Sequence, residues 1–128
     1  MLAPESLEKI IRRIKRIIKK HKIKFDTIGF TGMSGSLVAP ILAVRLKKKM
    51  LFVRKNPNFS HGEKIEGYLG GRVLVIDDFI ETGKTIKRIL NALEEVHTEC
   101  SAIILYNTEC SSREYKLPKK FRHIPIYS

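Results

Sequence analysis

Four consecutive apolar residues, Val73, Leu74, Val75 and Ile76, run directly into two aspartates, Asp77 and Asp78. The chain continues through Phe79, Ile80 and Glu81 to the turn Thr82-Gly83-Lys84-Thr85, where helical periodicity begins. An unbroken apolar run of this length reads as a strand buried on both faces, and such strands belong to parallel sheets covered by helices. A small-residue turn between strand and helix leaves the backbone N–H groups of Thr82, Gly83, Lys84 and Thr85 pointing outward, where they and the threonine hydroxyls can hold a terminal phosphate. Gly83 lets the ligand come close. The two carboxylates at the strand end accept hydrogen bonds from vicinal hydroxyls of a sugar. The segment therefore suits a phosphosugar, with the acids reading the sugar and the turn reading the phosphate. A P-loop is excluded by spacing, because GxxxxGK[ST] needs glycine at position 78, which is Asp78.

The remaining elements extend the same pattern. Leu7, Ile10, Ile11, Ile14, Ile17 and Ile18 recur at the spacing of one helical face, which predicts an amphipathic helix over 4–21 with its lysines and arginines in water. Thr27 to Thr31 reads as a short buried strand ending at Gly32-Met33-Ser34-Gly35. Ser36 is a plausible N-cap for a helix from Leu37 to Leu46, with Pro40 tolerated near the first turn and Lys47, Lys48 and Lys49 complementing the dipole at its end. Met50 to Val53 reads as the next strand. Residues 56–71, with Pro57, Gly62, Gly67, Gly70 and Gly71, read as a long mobile loop holding at most a short strand around Ile65. A helix over 85–96 and an apolar strand over 102–106 complete a βαβ(loop)βαβ order. That order predicts an α/β fold with a mostly parallel sheet, helices on both faces, and ligands at the carboxyl ends of the strands.

The 128 residues suit one domain able to bury a core without disulfide or metal staples. Cys100 and Cys110 form no CxxC and have no paired histidines nearby, so reduced thiols in a cytosol-like compartment are expected rather than a zinc site. No apolar run approaches a membrane span and no signal-peptide core is visible, so a cytoplasmic protein is expected. The formal charge of +12 is uneven: residues 1–24 contribute +7 and residues 113–128 contribute +4, leaving the body near neutral. Such ends can attract nucleic acid or a polyanionic small molecule, but no recognisable nucleic-acid module accompanies them. A solvated helix face and a soluble tail explain the charge more simply.

The stretch Val73 to Thr85 resembles the signature of the type I phosphoribosyltransferases: an apolar strand, two acids, two apolar residues, a variable position, then Thr-Gly-x-Thr/Ser. The resemblance implies a Rossmann-like, mostly parallel sheet in a single domain. Within it, residues 1–24 would form a basic N-terminal helix, 25–106 the core, and 107–128 a hood or tail. It further implies transfer of phosphoribose from 5-phosphoribosyl 1-pyrophosphate (PRPP) to a nucleobase with release of pyrophosphate, as in nucleotide salvage, with Mg²⁺ as cofactor and a homodimer as the assembly. Asp77 and Asp78 would contact the ribose hydroxyls and Mg²⁺, although the ion would be held mainly through the ligand. Glu81, Thr82, Gly83, Lys84 and Thr85 would form the 5′-phosphate loop. Gly32, Met33, Ser34 and Gly35 stand where the family has its pyrophosphate loop. Arg54-Lys55, His61-Gly62 and Ile65-Glu66-Gly67 resemble the catalytic loop of the orotate and adenine members.

Two features complicate the choice of base and the chemistry. The orotate type carries a lysine two residues before the loop His-Gly pair, where this chain has Phe59, so that cation is missing or replaced by Lys64. Glu81 stands where hypoxanthine-guanine members carry an acid near the base, which tilts the expectation slightly toward a purine. In the implied reaction, negative charge grows on the departing pyrophosphate. Arg54, Lys55 and backbone donors of residues 32–35 would stabilise it, while the loop from 56 to 70 would exclude water and bring up His61. Each residue also has a plainer reading: Arg54-Lys55 as a solvated strand exit, His61 as a surface histidine, Glu81 as a favourable acid in a first helical turn. Phe121 and Tyr127 can stack on a base or simply fill the core. The alternative function is a catalytically weak PRPP-binding sensor or regulator.

Overall fold

The computed structural model describes residues 4–54, 65–67, 71–78, 84–106 and 119–128. Along the chain these form α1 (Pro4–His21), β1 (Thr27–Phe30), α2 (Gly32–Leu46), β2 (Lys49–Val53) and β3 (Ile65–Gly67). They are followed by β4 (Arg72–Asp77), α3 (Lys84–Glu95), β5 (Glu99–Leu105), β6 (Lys120–Phe121) and β7 (Ile124–Tyr127). The strands form one sheet in the order β3-β2-β1-β4-β5-β7-β6. The pairs from β2 to β7 across this order are parallel, and the outer strands β3 and β6 join antiparallel.

Alternation along β4 divides the core. Leu74 and Ile76 face one side, where Ile11, Ile14 and Ile17 of α1 and Val38, Ala39 and Leu42 of α2 cover them. Val73 and Val75 face the other side, against Ile86, Ile89 and Leu93 of α3. The apolar stripe of α1 is thus consumed by the sheet, as its spacing predicts. Each helix ends on a residue in the left-handed conformation, Lys22, Lys47 or His97. The N–H groups of Ile23, Lys48 and Thr98 return to carbonyls of the preceding last turns, closing those ends as C-terminal caps do. Between the helices, Arg45 forms a bidentate ion pair with Glu8, whose carboxyl it holds below the usual range through that hydrogen bond.

The sequence reading is corrected at α2. The helix begins at Gly32, not at Leu37, and its N-cap is Thr31 rather than Ser36. Gly32 has φ of 74°, which lets the chain turn from strand into helix without an intervening loop. A Cβ on Gly35 would lie 3.1 Å from that of Phe30, so the glycine lets the first turn pack closely on the strand end. Pro40 consequently lies inside the helix, and the ladder forgoes one hydrogen bond there. The C-terminal strands β6 and β7 carry no strong sequence signal, being short and interrupted by Pro125. β7 is recruited by β5, where Ile103 pairs with Ile126 and Ile104 with Tyr127.

Candidate functional site

The chain leaves β1 toward β2 through α2 and leaves β4 toward β5 through α3, in opposite directions from two adjacent parallel strands. A crevice opens at the carboxyl ends of strands where connections diverge in this way. Thr27 pairs with Val73 and Gly29 with Val75, so continuing that register sets Thr31 level with Asp77. On the far side, Leu105 pairs with Asp77. The N-termini of α2 and α3, on opposite faces of the sheet, both lie at this end, and each presents backbone N–H groups and a positive dipole end.

Asp77 is buried at 5% exposure, whereas Asp78 is half-buried. The Asp77 carboxylate accepts the Asp78 N–H at 2.9 Å, and its backbone carbonyl accepts the Tyr106 N–H at 3.0 Å. The first aspartate is thereby fixed in the strand end, and the second steps out of it. Lys84 and Thr85 open α3, with Lys84 exposed and Thr85 half-buried. Gly32, Met33, Ser34 and Gly35 are the first turn of α2 rather than a free loop, so their backbone donors are those of a helix N-terminus.

Thr31 was not anticipated as a site residue. It is buried, and its hydroxyl donates to the Val53 carbonyl at 2.6 Å, tying the end of β1 to the end of β2 just before Arg54. Arg54 pairs with Glu66 on β3, the strand antiparallel to β2. Its Nε is buried with no hydrogen-bond partner among the described residues. A buried guanidinium N–H without an acceptor is costly, and an anionic oxygen would satisfy it. The sequence placed Arg54 and Glu66 in one motif but gave no sign that they pair. Lys55, Phe59, His61, Lys64, Glu81, Thr82 and Gly83 lie outside the described residues.

Among the described residues, no group of three or more His, Cys, Asp or Glu side chains could cage a metal. The adjacent carboxylates Asp77 and Asp78 nevertheless fit Mg²⁺, which commonly binds through one or two carboxylates and completes its shell with substrate oxygens and water. Among the described residues no helix is long and apolar enough to cross a membrane.

The family model of the phosphoribosyl transferase domain matches residues 2–127. The chain belongs to this family. An orotate phosphoribosyltransferase of Coxiella burnetii is 34% identical over 110 residues, covering 80% of this chain and 52% of the relative. The chain thus spans about half the length of that relative. A transcriptional regulator of Methanocaldococcus jannaschii is 29% identical over 98 residues, covering 70% of this chain and 46% of the regulator. Among solved structures, the orotate phosphoribosyltransferase of Francisella tularensis superposes with a TM-score of 0.72 at 16% identity, covering 98% of this chain and 66% of that one. This likeness bears on the fold alone, and it agrees with the mostly parallel, helix-covered sheet expected for the type I phosphoribosyltransferases.

Proposed function

We propose that the protein transfers phosphoribose from PRPP to a nucleobase, releasing pyrophosphate, and that orotate is the first base to test. The observation that carries the reading is the paired acid step Asp77-Asp78 at the carboxyl end of β4, beside the first turn of α3 and level with the N-cap of α2. The expectation of a purine rested on Glu81. The Arg54-Lys55 and His61-Gly62 pattern is common to the orotate and adenine members, and the Coxiella orotate phosphoribosyltransferase as a relative tips the choice to orotate.

In this reading Asp77 and Asp78 hold the ribose diol, while the N-terminal turn of α3, with Glu81, Thr82, Gly83, Lys84 and Thr85, holds the 5′-phosphate. The first turn of α2 and the Arg54 guanidinium, whose Nε lacks an acceptor among the described residues, receive pyrophosphate oxygens, where fixed donors stabilise the charge that grows as the C1′ bond breaks. Lys55 and His61 would add to that set. Mg²⁺, held by ligand oxygens together with Asp77 and Asp78, would offset pyrophosphate charge. Two copies joined through α2 fit the apolar character of that helix. Leu37 and Val44 are 46% and 77% exposed on a helix rich in apolar residues on every side, the pattern of an element covered from both directions.

Pyrophosphate release on mixing the protein with PRPP, Mg²⁺ and a panel of bases tests this. Turnover with orotate alone supports the full reading, and turnover with adenine or hypoxanthine instead restores the purine. A second reading, a PRPP-binding regulator without turnover, is favoured by the similarity to the Methanocaldococcus transcriptional regulator. Binding of PRPP with no pyrophosphate released for any base would select it.

A further inference from the structure

We propose that the outward face of α1 docks the phosphodiester backbone of nucleic acid. Lys9, Arg12, Arg13, Arg16, Lys20 and His21 line one groove of about 550 Å³ on this helix, and among the described residues no acidic side chain lines it with them. Its far end is shaped by the C-terminal strand. The Tyr127 ring stacks on His21 with centroids 3.9 Å apart and planes 17° from parallel, which sets Ser128 at the groove. Glu8, an acid on the same helix, is held chiefly by Arg45 of α2, and its charge acts more weakly on Arg12.

Lys9, Arg12, Arg13, Arg16 and Lys20 recur at i+3 and i+4, so their side chains lie along one line of the helix. From Lys9 to Lys20 that line is about 16 Å long at ~1.5 Å per residue. Phosphates of one duplex strand recur every ~3.4 Å along the duplex axis, so a run of this length laid along that axis spans about five of them. A charge row with this density matches a polyanion better than a single small anion.

The packing of α1 decides between kinds of polyanionic partner. An amphipathic helix binds a membrane by inserting its apolar face, but here Ile11, Ile14 and Ile17 are buried in the protein core. A protein interface is anchored by apolar and aromatic side chains at its centre and is depleted of lysine. The large exposed apolar residues among those described, Leu37, Val44, Met50 and Val96, all lie off α1. A partner that takes only charge from this face is a phosphate backbone, read without base specificity.

The test is fluorescence anisotropy with a labelled 20-nucleotide single-stranded RNA of mixed sequence and a 20-base-pair DNA duplex, over a salt series. The affinity should fall with salt at a log–log slope of about −3.5 for the single strand or about −4.5 for the duplex, given five phosphates. The probe that binds more tightly identifies the natural form. Arg12→Glu/Arg16→Glu should weaken binding at least tenfold with an unchanged melting temperature, whereas Lys87→Glu/Arg88→Glu on α3 should weaken it less than threefold. Equal losses in the two variants would show generic attraction to a basic protein and overturn the proposal. So would no binding by either probe at 50 mM salt, or tighter binding to phosphatidylserine vesicles than to both nucleic acids. A groove variant that melts early is replaced by Arg12→Gln/Arg16→Gln, which keeps side-chain bulk and should lose affinity in the same direction.

Discussion

The Thr31 hydroxyl donates a 2.6 Å hydrogen bond to the Val53 carbonyl, joining the ends of β1 and β2 where both enter the candidate site. Thr31 is also the N-cap of α2, yet its side chain makes no capping bond, because the hydroxyl is committed to the neighbouring strand. Thr31→Val keeps the shape and removes the donor from a buried position. It should cost about 1–2 kcal/mol in urea unfolding, the usual range for a buried polar group losing its partner. Thr31→Ser should cost less. Because Val53 precedes Arg54, the valine variant should also bind PRPP more weakly than its stability loss alone explains.

Asp77→Asn and Asp78→Asn separate folding from binding. An asparagine at 77 can still accept the Asp78 N–H, so the strand end should persist. What disappears is the negative charge that, in the proposed function, meets the ribose diol and Mg²⁺. Hydrogen bonds to charged groups contribute about 1.5–3 kcal/mol, so each variant should lose roughly tenfold to a hundredfold in PRPP affinity. Thermal shift with and without PRPP and Mg²⁺ checks this: the unliganded melting temperatures should stay near wild type and the ligand-induced rise should shrink.

Much of this arrangement is legible in the sequence because strong local patterns agree with the tertiary fold. The isoleucine spacing of α1 fixed its bounds at 4–21, and the apolar run at 73–76 fixed the central strand, since burial on both sides leaves no polar alternation to misread. Legibility fails where one residue's conformation depends on distant packing. Gly32 and Gly35 look like loop residues, whereas the helix begins at Gly32 and packs Gly35 close to the Phe30 side chain, a contact the sequence does not reveal. Glu66 carries no mark of its ion pair with Arg54, because antiparallel pairing of β3 with β2 creates that contact. The β6–β7 hairpin is invisible for the same reason: it is held by pairing with β5 more than by its own propensity.

At the end of the sheet remote from the site, Asp26 and Arg72 are tied by reciprocal bonds. The Asp26 N–H donates to the Arg72 carbonyl at 2.8 Å, and the Asp26 carboxylate accepts the Arg72 N–H at 2.9 Å. Gly71 sits against this clasp with φ of 75°, and a Cβ there would fall 2.3 Å from the Asp26 carboxylate. Gly71→Ala should destabilise by about 1–3 kcal/mol through the positive φ and the displaced carboxylate together. Asp26→Ala/Gly71→Ala should cost less than the two single changes summed, because the clash is counted once. Chemical unfolding of the three variants measures both effects.

Cys100, at the start of β5, gives a pH dependence with a definite sign. Burial pushes its thiol from the ordinary value of 9.0 up to about 12, with the Glu99 charge adding in the same direction. Below pH 9 the thiol is protonated in both folded and unfolded chains, and stability is unaffected by it. Above pH 9 the unfolded thiol ionises while the folded one stays neutral, so the unfolded chain gains and stability falls. The loss continues until the folded thiol also ionises near pH 12, approaching about 1.4 kcal/mol per pH unit inside that window. Urea unfolding of Cys110→Ser at pH 8, 9.5 and 10.5, compared with Cys100→Ala/Cys110→Ser, isolates the contribution. The first protein should lose stability faster over this range, and its remaining thiol should react slowly with a disulfide reagent at pH 8, because the thiolate is the nucleophile. Parallel pH profiles for the two proteins would show that Cys100 is ionising as freely in the folded chain as in the unfolded one.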